Sequence, residues 1–227
     1  MKRSALTLLG AFTGAISHAA AVNWGAAIDT GLLDTSAAAL ATGNTVRIGY
    51  FQTFTDAQIT ANALTPGGIN LLNADFKQFG SSTIGVGTSS AGSFSEASSP
   101  FYSSLPGFSP SSQIYFWALK SNNLNDPLNT VIQTAIAYVP FADISSWRFP
   151  ASDSSPPLTI DLNDLSNSNA KVLAGSYISS DSAALTPVFG NPNRALKLSN
   201  VPEPSTLGLA IFGAFCFLSA RPRRQNG

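Results

Sequence analysis

The chain predicts an all-β fold, a β-sandwich with two short helical inserts, and three observations carry that expectation. Short segments of two-residue apolar alternation recur along it. Gly, Pro, Ser and Asn punctuate them. Hydrophobic residues make up 44% of the chain against 11% charged, enough apolar surface for one core in a domain of ordinary size. The elements follow in order. Residues 22–28 read as a first strand. In the segment Thr45 to Phe51, Val46, Ile48 and Tyr50 point one way and Arg47 and Gly49 the other, the pattern of a half-buried strand. Thr55 or Asp56 caps a helix that runs to Leu64 and is stopped by Pro66, Gly67 and Gly68. Ile69, Leu72, Phe76 and Phe79 then recur at spacings of three and four, which predicts a second helix over 69–79 with these side chains on one face.

A strand is expected at 82–86. The Ser- and Gly-rich stretch 81–112, with Pro100, Pro106 and Pro110, otherwise reads as long surface loops. The runs 114–119 and 131–139 are apolar on both alternations and read as central strands buried on both faces. Leu158, Ile160 and Leu162 alternate with Thr159 and Asp161, residues 171–178 form a further strand, and Leu196 and Leu198 flank Lys197.

Several chemistries are excluded by what is missing. The only His is His18, the only Cys is Cys216 and the only Met is Met1, so residues 22–200 contain no imidazole, thiol or thioether. Triads built on His, zinc held by His or Cys, and disulfides are therefore out of reach. Between residues 22 and 200, eleven acids face seven bases, a balance near −4. The other five bases are Lys2, Arg3, Arg221, Arg223 and Arg224. A mildly acidic domain without a basic stripe has no electrostatic reason to bind nucleic acid.

Both ends read as addressing segments. Lys2 and Arg3 precede an apolar stretch from Ala5 to Ile16, then Ser17, His18, Ala19, Ala20 and Ala21. Small residues at that distance suit signal peptidase, with the cut after Ala19 or after Ala21. Residues 1–21 are thus expected to be a signal peptide and 22–200 an exported domain. At the other end, Val201-Pro202-Glu203-Pro204-Ser205 opens a segment in which two prolines forbid strand pairing and hold Glu203 on an extended strip. Residues 206–220 are almost wholly apolar, and Arg221, Arg223 and Arg224 close the chain as a cytoplasmic stop. The apolar stretch is shorter than the roughly 20 residues of a usual spanning helix, so crossing requires bilayer thinning or snorkelling arginines.

This ordered arrangement of Pro-Glu-Pro, apolar stretch and terminal Arg cluster resembles the PEP-CTERM sorting signal, over residues 201–227. The resemblance implies recognition of Pro202, Glu203 and Pro204 by an exosortase, a multispanning membrane protease, with Arg221, Arg223 and Arg224 as the stop. It also implies a Gram-negative host that makes extracellular polysaccharide. Trp24-Gly25, Val46-Arg47-Ile48-Gly49-Tyr50-Phe51, Gln113-Ile114-Tyr115-Phe116-Trp117-Ala118 and Trp147-Arg148-Phe149-Pro150 are similar to landmarks of PEP-CTERM proteins, which implies a shared fold.

The resulting expectation is an exported envelope or extracellular-matrix protein, anchored in the inner membrane by its C-terminal helix before processing. It then moves to the cell surface or medium and has a structural or adhesive role. No enzymatic activity and no cofactor are assigned. Glu96 is the sole glutamate of 22–200, and no spacing singles out the second carboxylate that glycoside hydrolysis needs. Asp161, Asn163, Asp164, Asn167 and Asn169 offer oxygens for calcium but lack the glycine and closing Glu of an EF-hand, and no metal is assigned. The alternative role is a carbohydrate-binding module, with Phe101, Tyr102 and Phe108 as candidate glycan contacts and exopolysaccharide as the partner. Trp24, Trp117 and Trp147 are expected in the core.

Overall fold

The computed structural model describes residues 21–26, 30–65, 67–98, 112–140, 146–149, 157–179 and 194–201. They are mostly β, with two short α-helices and stacked sheets, so the expected all-β class is observed. The largest sheet runs in the order β4 (Phe76–Thr83), β3 (Thr45–Phe51), β6 (Tyr115–Ser121), β7 (Val131–Tyr138), all antiparallel. The outer edge of β7 is divided between two strands. One is β12 (Ser199–Asn200), beside Gln133 and Thr134; the other is β9 (Lys171–Ala174), beside residues 136–138.

Two three-stranded sheets stack on one face of this sheet. In the first, β1 (Val22–Ala26) lies between antiparallel β5 (Phe94–Ser98) and parallel β8 (Leu158–Asp161). In the second, β11 (Arg194–Lys197) lies between antiparallel β10 (Ser176–Ile178) and parallel β2 (Thr30–Leu33). The strands β9–β10 and β11–β12 step from one sheet to another at Gly175 and Leu198, making the corner that joins the layers. Between the layers, Trp24 meets Phe94 edge-on at 5.1 Å, and Phe94 stacks on Phe116 of β6 at 5.9 Å. Val46, Ile48, Ile160, Leu196 and Leu198 complete this core.

The opposite face of the large sheet is covered by α1 (Asp56–Ala63) and α2 (Gly68–Asp75). Ile59, Ala63, Ile69 and Leu72 pack on Phe51, Phe76, Trp117, Leu119 and Ile136. The large sheet is therefore the middle of three layers. That is why β6 and β7 are apolar on both alternations, as the sequence predicts. The expected capping of the first helix is also observed: Thr55 Oγ1 accepts from Gln58 N, and Gln58 Oε1 accepts from Thr55 N at 2.9 Å.

Four readings are corrected. β3 is not half-buried: Arg47 is only 4% exposed, because its face lies under the helices and not in water. The predicted helix over 69–79 ends at Asp75, and Phe76 and Phe79 belong to β4. The pairing of β4 with β3 slips between Ile48 and Gly49, which leaves Phe79 as an extra residue that reaches the inner core while Phe76 packs under the helices. The stretch 81–112 contains a strand, β5, joined to β4 by turns around Gly85, Gly87 and Gly92, all at positive φ. Finally, β2 was not foreseen.

Residues 1–20 and 202–227, which carry the expected signal peptide and transmembrane helix, lie outside the described residues. Among the described residues, no helix is long and apolar enough to cross a membrane.

Candidate functional site

The outer face of the β5–β1–β8 sheet forms a groove of about 950 Å³. Its chemistry follows from strand alternation. On β1, Val22, Trp24 and Ala26 are buried, while Asn23 and Gly25 face out. The register places Ala97 and Thr159 beside Asn23, and Ser95 and Asp161 beside Gly25. Thr88, Ser90 and Ser93 of the turn before β5 complete the lining, with the Ser93 hydroxyl donating to Thr88 Oγ1 at 2.9 Å. A Cβ on Gly25 would sit 2.9 Å from the Phe94 carbonyl, so the floor admits no larger residue without a shift. The lining mixes hydroxyls, the Asn23 amide and two carboxylates, Glu96 and Asp161, with the apolar surface of Trp24, Ala26, Phe94 and Ile160.

Glu96 does not stand in an open loop as expected. It lies on β5 opposite Trp24, and Ser82 Oγ donates to its Oε2 at 3.2 Å. Directly opposite residues share a face of the sheet, so Glu96 is on the face of Trp24 and Asp161 on that of Gly25. The register thus sets these two carboxylates on opposite faces of the sheet, although both border the groove.

In the 161–169 segment, a 3-10 helix over Leu162–Ser166 takes up the candidate oxygens. The Asp161 carboxylate caps it by accepting from Asn163 N at 2.9 Å, and Asp164 Oδ2 accepts from Trp147 Nε1 at 3.0 Å. Thr30 Oγ1 donates to Asn163 Oδ1. Among the described residues, no cluster of three His, Cys, Asp or Glu could hold a metal. Trp24, Trp117 and Trp147 are all buried.

Ala19, Phe101, Tyr102, Phe108, Pro202, Glu203, Pro204, Arg221, Arg223 and Arg224 lie outside the described residues. Ala21 is described: its carbonyl accepts from Leu158 N at 2.9 Å. At the far end, Val201 N donates to the Ile132 carbonyl at 2.8 Å. Sheet pairing thus reaches from Ala21 to Val201.

Three polar constellations escaped the sequence reading. Arg47 donates from Nε to Gln78 Oε1 at 2.8 Å and from Nη1 to Asn73 Oδ1 at 2.7 Å, with its guanidinium 4.7 Å from the Phe76 ring centre and 5.0 Å from that of Trp117. Burial lowers its pKa to about 10, which leaves it charged at neutral pH. Asp34 accepts from Lys120 Nζ at 2.8 Å and from the Ser36 hydroxyl and the Ser36 and Ala38 N–H groups. Burial alone would push the Asp34 carboxyl up, but these donors outweigh it and hold it at about 2. Asp56 accepts from Tyr138 Oη at 2.5 Å and Tyr115 Oη at 3.2 Å, with Lys171 Nζ at 3.4 Å. Burial first, and then the Asp56 charge, raises both phenol pKa values. Partners from distant segments assemble all three, so no local spacing announces them. Comparison of the chain with protein-family models, curated proteins and solved structures finds no match.

Proposed function

We propose that the protein is exported, held at the inner membrane by its C-terminal segment, and released to the surface or matrix by proteolysis at Pro202–Pro204. There its β-domain serves a structural or adhesive role. The observation that carries this reading is the order Pro202-Glu203-Pro204, apolar stretch, Arg221-Arg223-Arg224, in a chain that opens with Lys2, Arg3 and an apolar segment. Strand pairing supports it. Among the described residues the last ladder bond is made by Val201, and Pro202 has no N–H with which to extend it. The recognition triplet therefore follows directly in sequence on a residue still paired to the central sheet. The bond from Leu158 N to the Ala21 carbonyl favours signal cleavage after Ala19, since a cut after Ala21 would remove that acceptor.

Intact mass of the protein from its native host, with and without the processing protease, tests both cuts. The expected product begins at Ala20 and ends near Pro204 only when the protease is present. Retention of every residue to Gly227 on the extracellular protein overturns the proposal.

A second reading, a glycan-binding module with the same anchor, is favoured by the groove on the outer sheet, where hydroxyls, the Asn23 amide and two carboxylates lie beside apolar surface. It expects binding of the host polysaccharide to fall at least tenfold in Asn23→Ala or Asp161→Asn, a loss of at least about 1.4 kcal/mol. An unchanged affinity in both variants, read by calorimetry, would dismiss it in favour of a purely structural domain. Parallel loss in Tyr102→Ala or Phe108→Ala would bring the loop aromatics into the contact.

A further inference from the structure

Tyr115 and Tyr138 stand one step beyond the paired residues Phe116 and Ala137, on adjacent antiparallel strands at the centre of the large sheet. Their rings are 4.8 Å apart, centre to centre, and both hydroxyls donate to the two oxygens of Asp56 at the start of α1. Lys171 of β9 lies against the same carboxylate and 5.7 Å from the Tyr138 ring centre. Both hydroxyls thus converge on one acceptor from neighbouring rings tilted by 59°. The domain offers no thiol, thioether or imidazole that would be oxidised first, because its Cys, Met and His fall outside residues 22–200.

We propose that Tyr115 and Tyr138 form an oxidative cross-linking site, which a one-electron oxidant converts to an intramolecular dityrosine that staples β6 to β7. Each phenol gives one electron to the oxidant and its hydroxyl proton to Asp56, which passes protons to solvent across its exposed edge. The two phenoxyl radicals couple by a carbon–carbon bond between ortho positions. The ortho hydrogens then shift to the oxygens as the rings regain aromaticity. The chain loses two electrons and two protons in all, and the oxidant takes up the electrons. Asp56 is the positioning and proton-accepting residue. The staple would supply, between neighbouring strands, the covalent closure that a chain without paired cysteines lacks.

The test is photo-oxidation of the purified full chain by a ruthenium(III) polypyridyl complex, with persulfate as the electron sink. Peptide mapping and intact mass read the outcome. The expected product is a monomer lighter by two hydrogens, with peptides containing residues 115 and 138 joined. That product should vanish in Tyr138→Phe, form on the order of 10²-fold more slowly in Asp56→Asn, and return in Asp56→Glu. A wild-type map without the 115–138 link overturns the proposal, whatever the variants do. So does oxidation confined to Trp117, or dityrosine found only between chains. Asp56→Asn retains both rings, so a normal rate in that variant would remove Asp56 from the assignment.

Discussion

A guanidinium can be buried without a counter-ion when planar stacking and two amide acceptors replace water, and Arg47 is held in this way. Among the described residues, the ion pairs are Lys120–Asp34 and Lys171–Asp56, and neither involves it. The fork that reaches Gln78 and Asn73 while stacking on Phe76 and Trp117 belongs to arginine alone, since an ammonium has no plane to stack. Arg47→Lys should therefore lower unfolding free energy by about 2 kcal/mol, and Arg47→Ala by roughly 3 kcal/mol with a cavity added, both read from urea midpoints. The sequence could not announce this residue. Alternation assigns Arg47 to the face opposite Val46 and Ile48 correctly, but a charged residue on that face reads as solvated until two helices are seen to cover it. Asp34 carries a prediction in pH. Its folded pKa, about 2, lies below the unfolded value near 4, so the stability it contributes is present above pH 4 and is lost as pH falls through 2. Stability should drop by about 1–2 kcal/mol across that window, and Asp34→Asn should flatten that part of the profile in acid titration followed by circular dichroism.

Elements were legible where one physical cause dominates. The run 131–139 is apolar on both alternations because both faces of β7 are covered, and α1 carries its own start signal in Thr55 and Gln58. Removal of that signal in Thr55→Ala should cost about 1 kcal/mol in the same urea assay. Legibility failed where a local pattern had two physical readings. The spacing of Ile69, Leu72, Phe76 and Phe79 fits a helix, yet only the first two residues are helical. A slip in strand register then satisfies the other two from opposite sides of a strand. Ser-rich composition likewise concealed β5, because its buried anchor Phe94 is flanked by small polar residues that face the groove. At the corner between sheets, Gly175 has φ of 87°, and a Cβ there would collide with the Lys197 carbonyl. Gly175→Ala should accordingly cost at least about 2 kcal/mol, more than the usual penalty for lost glycine freedom, with the thermal midpoint as the measure.

At the scale of the whole molecule, the sequence foretold a β-rich body but not its connectivity. Neither the two parallel pairs, β1 with β8 and β11 with β2, nor the sharing of one strand edge by β9 and β12 has a local signature. Both join residues far apart in the chain, and periodicity reports only what neighbours do. A chain ended after Ile178 would lack β11 and β12, strip β2 of its partner and open the edge beside Gln133 and Thr134. It should be protease-sensitive and aggregate where the full domain does not, as limited digestion would show. The late position of β12 has a temporal corollary. Residues 199 and 200 are among the last of the body to emerge from any machine that handles polypeptide from its amino end, and the central sheet cannot be completed before they do. Until that moment the edge of β7 beside Gln133 and Thr134 stays open. The closing of the middle layer is thus deferred to two residues at the very end of the body.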